Sequence, residues 1–273
     1  VPGQPYSLAA VTGTTVDDTG APVAGARVYV QAQAPGADWG VLDEARSDAS
    51  GVFSIPVPDF GDGWSWRLVA SAEGRRSSVA TEVALGDTGV ALELGPPGEL
   101  RFTVVDQAGV AAPARLALTA TDGSESHTVW LADSGTAPVP PGEWSYTASR
   151  GYEYTVQEGV FTIPEHGSAS LEVVLEHVVD TTGWVSVDTH VHSWDSPDSR
   201  VDPADVLLHA AAHGLDLVLH TEHEHIVDRS TLPRETGLDA WVDSIGGEEV
   251  TATVPEHLTM FPVSPDGSGR GGP

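Results

Sequence analysis

The sequence predicts two tandem antiparallel β-sandwiches followed by an α/β segment, and three observations carry that expectation. Short runs of alternating apolar and polar residues, separated by Asp, Gly and Pro, fill the first two thirds of the 273 residues, as half-buried antiparallel strands require. A motif recurs inside that region: Asp17 is matched by Asp106 and Gly20 by Gly109, an offset of 89 in both cases. After Thr182 the texture changes to strand, helix and strand, with histidines gathered at the strand ends.

The first unit runs through "VTGTTV", "ARVYVQAQ", "GVFSIPVP" and "WSWRLVASA", each closed by a turn signal such as "DDTGAP". Its "TVDDTGAPVAGARV" (Thr15 to Val28) is echoed by "VVDQAGVAAPARL" (Val104 to Leu116), and Trp66 and Gly74 by Trp144 and Gly151. A short stiff linker, "GPPGE", separates the two units, because Pro and Gly interrupt both strand and helix. The expected divisions are 1–96, 97–182 and 183–273. The run from Val11 to Leu94, with Gly13, "DDTGAPVAGARV" and "GVFSIPVP", resembles the carboxypeptidase regulatory-like modules. That resemblance implies a β-sandwich fold and leaves function open, since such modules serve as spacers, adhesins and appendages. Asp17, Asp18, Asp48 and Asp59 sit at turns, where Asp closes the backbone without help. Calcium at these turns is the competing expectation.

Composition narrows the partners. Forty acidic residues against 12 basic ones, all Arg, give a formal net charge of −28. Such a charge repels nucleic acid and anionic membrane, and no local basic patch offsets it. The absence of Cys excludes disulfides and cysteine-based metal knuckles, leaving His and carboxylates as the strong ligands. No apolar run is long enough for a membrane span. The Gly, Pro, Thr and Asp content suggests an extracellular, periplasmic or cell-surface protein.

In the last third, "VDPADVLLHAAAHG" reads as a helix with Asp202 as N-cap, Pro203 in first position and Gly214 as the stop. It links the strand "GWVSVDTHVHS" to "LDLVLHT", an apolar run expected of a parallel strand covered on both faces. Alternation places Ser186, Asp188, His190 and His192 on one face and Val185, Val187, Thr189 and Val191 on the other. Sheets of this kind carry chemistry at the C-terminal ends of their strands. Eight of the 11 histidines lie in this last third. His190 and His192 read as ligands in preference to a solvated strand face, because further histidine-bearing ends follow at "HTEHEH" and "SIGGEEVTATVPEH". His209 and His213, four apart near the helix C-terminus, read as a solvated face favoured by the helix dipole. His220 and His225 stay open between ligand, support and surface, and His127, His166 and His177 read as surface residues. Of Asp195 and Asp198, one is expected to reach a metal.

Together "GWVSVDTHVHSWDSPDS", "GLDLVLHTEH", "GGEEVT" and "EHLTMFPV" resemble the successive motifs of the PHP (polymerase and histidinol phosphatase) metallohydrolases, in their carbaryl-hydrolase-like branch. The resemblance spans roughly Pro141 to Val263 and implies the N-terminal part of a distorted β/α barrel. It implies a metal set of His190, His192, Asp198, His223, Glu249 and His257, with Glu249 as the bridging carboxylate and Glu249 and His223 at the catalytic centre. Two or three Zn, Mn or Fe ions suit such ligands. Clustered cations acidify a bridging water into a hydroxide for attack on a phosphoester, amide or carbamate ester, in a small molecule or surface polymer. The usual "TDH" is "TEH" here, one methylene longer. Only 91 residues run from Gly183 to Pro273, against roughly 200 or more for a closed barrel. The expectation is therefore a piece of a longer hydrolase, with little activity by itself. The contrasting expectation is a non-catalytic surface or adhesive protein with a partial metal region.

Overall fold

A computed structural model describes residues 7–251 and 257–263. The first sandwich has seven strands: β1 (Leu8–Asp17), β2 (Arg27–Gln33), β3 (Gly40–Arg46), β4 (Val52–Pro58), β5 (Ser65–Ser71), β6 (Thr81–Val83) and β7 (Val90–Leu94). They form two sheets, ordered β4-β1-β7 and β3-β2-β5-β6. The alternation read from the sequence is met. On β4, Phe53, Ile55 and Val57 point inward while Val52, Ser54 and Pro56 stay exposed. Their inward set joins Val11, Val28, Val30, Leu68, Leu92 and Leu94 in one dry core, where each large aliphatic side chain contributes about 1.5–3 kcal/mol. Gly13 is required for packing: a Cβ there would run into the Val90 carbonyl of β7 and the Phe53 ring.

The second sandwich repeats the first, strand for strand. Its strands are β8 (Glu99–Asp106), β9 (Ala114–Ala120), β10 (Ser126–Leu131), β11 (Ser134–Pro138), β12 (Gly142–Ser149), β13 (Gln157–Ile163) and β14 (Ser168–Leu175). The sheets run β11-β8-β14 and β10-β9-β12-β13, the first sandwich's order with every number raised by seven. Register is kept as well. Arg27 pairs with Ser71 and Ala32 with Trp66 in one sandwich, as Arg115 pairs with Ser149 and Ala120 with Trp144 in the other. The Val16–Pro22 bridge likewise has its counterpart in Val105–Ala111. Trp144 is fully buried, whereas Trp66 only borders its core.

The turn aspartates close their own turns. Thr19 and Ala21 donate backbone N–H groups to Asp17 Oδ1 at 2.9 Å, and Ala108 and Val110 do the same to Asp106 Oδ1 at 2.8 and 2.9 Å. Asp48 accepts from Ser50 and Val52, and Asp59 from Gly61. Among the described residues no group of three acidic or imidazole donors gathers at these turns. Turn closure occupies one carboxylate oxygen each of Asp17, Asp48, Asp59 and Asp106.

The α/β portion follows with β15 (Val187–Val191), α1 (Pro203–Ala212), β16 (Leu217–His220), a one-turn α2 (Leu232–Glu235), β17 (Asp243–Gly246), and the strands β18 (Glu248–Thr251) and β19 (His257–Met260). β15, β16 and β17 form an open parallel sheet, and β18 and β19 an antiparallel pair. The helix starts where the sequence places it: Ala204 N–H donates to Asp202 Oδ1 at 2.9 Å and Pro203 follows the cap. Gly214 stops it with φ +75°, a conformation that suits glycine. Leu207, Ala210 and Ala211 on its inner face pack on Val218, Leu238 and Val242.

Two expectations are corrected here. The register of β15 shifts between Asp188 and Val191, and such a bulge resets the period-two alternation. Val187 and Thr189 consequently line the helix-free face of the sheet with Leu217, Leu219 and Ile245, while Val191 packs beneath α1. His209 and His213 do not form a simple solvated face, because both rings lie on Trp130 of β10, with centroids 4.1 and 5.1 Å away. Burial lowers the pKa of each.

By its contacts the chain divides into two compact units. One comprises the chain to Leu100 with Thr136–Gly142 and Thr162–Ala169; the other comprises Arg101–Gly135, Glu143–Phe161 and everything from Ser170 on. Within the second unit, Arg150 ties sandwich to α/β portion. Its buried guanidinium donates to the carbonyls of Pro113 and Ala211 and lies 4.3 Å from the Trp241 ring centroid. Among the described residues no helix is long and apolar enough to cross a membrane.

Candidate metal centre

Three consecutive strand ends deliver the site. His190 lies in β15 and His192 just beyond it; Asp198 lies in the segment before α1; His223 follows β16; Glu249 lies in β18 and His257 opens β19. All six side chains named from the sequence meet. They form three overlapping groups, His190–His192–Glu249, His192–Asp198–His223 and His223–Glu249–His257, each with ligand atoms within 4.8 Å of one another.

Glu249 is the centre of this arrangement. It is 1% exposed. Its Oε2 lies 2.9 Å from His192 Nε2, 3.2 Å from His190 Nε2 and 3.2 Å from His223 Nδ1, while Oε1 lies 2.7 Å from His257 Nδ1. Asp198 closes the far side, with Oδ1 3.1 Å from His192 Nδ1 and Oδ2 3.2 Å from His223 Nε2.

The donor set fits shared cations. His190 Nε2 and His192 Nε2 face each other at 3.0 Å while both face Glu249 Oε2. Each ring nitrogen presents either one N–H or one lone pair, so no protonation state makes all three contacts of this triangle hydrogen bonds. Ligands held at 2.0–2.2 Å in tetrahedral array lie roughly 3.3–3.6 Å apart. The observed 2.9–3.2 Å spacings among these three atoms are close to that separation. Mixed imidazole and carboxylate ligation suits Zn, Mn or Fe.

The electrostatics favour ionised carboxylates. Burial opposes the charge on Glu249, but hydrogen bonds from His190 and His257 and the nearby His223 bring its pKa below the usual range. Asp198 is also lowered, chiefly by its hydrogen bond with His192. Glu248, on the adjacent position of β18, moves the other way: burial raises it, helped by the charge of Glu224.

The remaining candidates separate from the cluster. Asp195 pairs with Arg229 instead. His220 is buried with neither ring nitrogen partnered among the described residues, and its pKa is pushed down to about 4, foremost by burial. His225 joins none of the three groups. His127, His166 and His177 pair with Glu125, Asp18 and Glu153 at the surface, in keeping with the bland role expected of them. Sequence reasoning missed Thr251, whose Oγ1 lies 2.6 Å from His223 Nδ1 and leaves Nε2 towards Asp198. It also missed Ser193 and Ser196, which bind Glu222. The motif "TEH" was the available signal for Glu222; small hydroxyl residues in a loop carry none.

Residues 10–94 match the family model of the carboxypeptidase regulatory-like domain. The match covers the first sandwich, as its sequence motif implies, and stops well before the α/β portion. No curated protein matches the chain. Among solved structures, the Bacillus anthracis TIE protein is similar at 15% identity and a TM-score of 0.27, over 63% of this chain and 34% of that one. The shaft pilin spaA of Lactobacillus rhamnosus GG is similar at 10% identity and 0.30, over 64% and 99% of the two chains. A streptococcal ancillary pilin is similar at 12% identity and 0.35, over 64% and 63%. This chain thus spans about a third of the length of the anthrax protein it resembles.

Proposed function

We propose that this chain is a surface-type β-sandwich protein whose α/β portion binds two or three divalent transition metals, and that this centre serves a metal-dependent hydrolase. The observation that carries the reading is the Glu249 carboxylate, buried and touched by four imidazole nitrogens at 2.7–3.2 Å. His190, His192, Asp198, His223, Glu249 and His257 are the ligands in this reading. Metals held there supply Lewis acidity and acidify water near neutral pH. The protein's own part is to hold Glu249 ionised between the imidazoles, to orient His223 through Thr251, and to keep Asp198 facing His192 and His223. The order and flanks of the four motifs, which resemble PHP metallohydrolases, support hydrolysis of a phosphoester, amide or carbamate. They also support reading the parallel sheet as the first strands of a distorted β/α barrel. A cysteine-free, acidic, sandwich-rich chain suits the extracellular space, periplasm or cell surface.

A second reading is a non-catalytic structural or adhesive protein. The family match favours it, because the module matched over residues 10–94 is a β-sandwich. Metal analysis paired with an activity assay separates the two. A hydrolase centre takes up two or more equivalents of zinc or manganese, loses at least one of them in Glu249→Gln, and supports cleavage of an activated phosphodiester or carbamate that is lost with that substitution. A scaffold keeps its fold and assembly in Glu249→Gln and shows no turnover in either form.

A further inference from the structure

We propose that Glu222 is a positioning residue: its buried carboxylate clamps the segment carrying Asp198 to the strand end carrying His223, and thereby sets the His192–Asp198–His223 group. The affinity arm of the test rests on the metal-centre reading above; the clamp itself does not.

Glu222 is completely buried and sits one residue before His223. Its two oxygens accept from two serines of the loop. Ser193 N–H donates to both at 3.0 Å, Ser193 Oγ–H donates to Oε1 at 2.5 Å, and Ser196 Oγ–H donates to Oε2 at 2.6 Å. Ser196 Oγ in turn accepts the backbone N–H of His223 at 3.0 Å. The chain of contacts therefore closes on itself, from Glu222 through Ser196 to the residue that follows Glu222. A buried carboxyl group that accepts from both serines ties the two segments together, because each donor freed from it would be left unpaired away from water.

Asp198 needs such a tether. Its side chain is 55% exposed, so packing does not hold it, and the segment from Ser193 to Val201 contains neither helix nor strand. Its contacts at 3.1 Å to His192 and 3.2 Å to His223 depend on where the loop puts its backbone. The clamp grips that loop at Ser193 and Ser196, immediately after one of these imidazoles and two residues before the aspartate. The same carboxylate thus references both partners of Asp198 to one point. Gln is the informative substitution, being the same shape. Its NH2 group would face either the Ser193 N–H or the Ser196 hydroxyl, whose oxygen already accepts from His223, so one side of the clamp loses its acceptor.

The test compares the 273-residue chain with Glu222→Gln and Ser196→Ala by cobalt(II) titration and, metal-free, by amide hydrogen exchange. With cobalt, Glu222→Gln weakens one equivalent by about 10–100-fold, the usual cost of removing a residue behind a ligand. It alters the visible absorption of that equivalent and leaves the others unchanged. In the metal-free protein, the amides of Ser193 and His223 exchange at least about tenfold faster in both variants while α1 and β16 keep their protection. Unchanged exchange at both amides overturns the clamp, and so, where the parent binds cobalt, does an isotherm identical to the parent's. If the parent chain takes no cobalt but the exchange result holds, the metal-centre reading fails and the clamp stands. Should Glu222→Gln fail to fold, Ser196→Ala carries both readouts alone.

Discussion

Replacing His220 tests how the interior of the α/β portion is organised. His220 is fully buried at the end of β16, and neither ring nitrogen has a partner among the described residues. Burial pushes its pKa from 6.5 down to about 4, with the charge of Glu222 opposing. The folded protein therefore keeps His220 neutral where the unfolded chain protonates it. Stability from this group is whole above about pH 6.5, declines as pH falls through that value, and levels off below about pH 4. A gap of about 2.5 units corresponds to about 3 kcal/mol in all, of which about 2 kcal/mol is lost between pH 7.5 and 5. Working no lower than about pH 5 keeps the protein above its pI of about 4.4. His220→Leu removes the titrating group at similar volume, and a buried unpartnered imidazole is a group whose apolar replacement costs little. The assay is urea unfolding in chelator, followed by exchange of the β16 amides, because two compact units need not share one transition. Titration of every other group, including the candidate ligands, is common to both proteins and cancels in the difference. The parent should lose about 2 kcal/mol more than His220→Leu over that pH range. Parallel pH dependences would refute the reasoning and show that His220 is hydrated or partnered in the native state.

Three further outcomes follow from the same structure. Gly13→Ala forces a Cβ against the Val90 carbonyl and Phe53 ring; it should destabilise the first sandwich by about 1–3 kcal/mol, read by urea unfolding. Asp202→Ala removes the cap that accepts from Ala204 N–H, and should cost about 1 kcal/mol with faster exchange in the first turn of α1. Zinc at a hundred times its dissociation constant should raise the unfolding free energy of the second unit by about 2.7 kcal/mol for each ion bound. Thermal unfolding with and without chelator measures that rise, and Glu249→Gln should lower it by at least one ion's share.

Local patterns made much of this legible. Alternation, turn aspartates and the offset between Asp17 and Asp106 predicted two sandwiches, and the paired registers of Ala32–Trp66 and Ala120–Trp144 show why the echo is visible: the same positions face the same neighbours. Asp202, Pro203 and Gly214 marked the helix correctly because caps act within four residues of chain. Clustering of His190, His192, Asp198, His223, Glu249 and His257 was anticipated from strand-end logic and motif resemblance together. What escaped was non-local or hidden by irregularity. A bulge in β15 cannot be read from "VSVDTHVH", since the extra residue looks like any other. Trp130 meeting His209, Arg150 meeting Ala211 and Glu222 meeting Ser193 join residues far apart in sequence, which no periodicity reports. The backbone N–H groups accepted by Asp17, Asp48 and Asp106 are likewise set by the fold of each turn.

The most direct measurement is metal stoichiometry by native mass spectrometry of the purified chain after exposure to zinc or manganese and removal of free ion, beside Glu249→Gln and His192→Ala. Two or three ions per chain are expected in the parent, with loss of at least one in each variant at unchanged circular dichroism. A parent chain that retains no ion, or variants that retain as many as the parent, would contradict the claim that these six side chains form a metal centre.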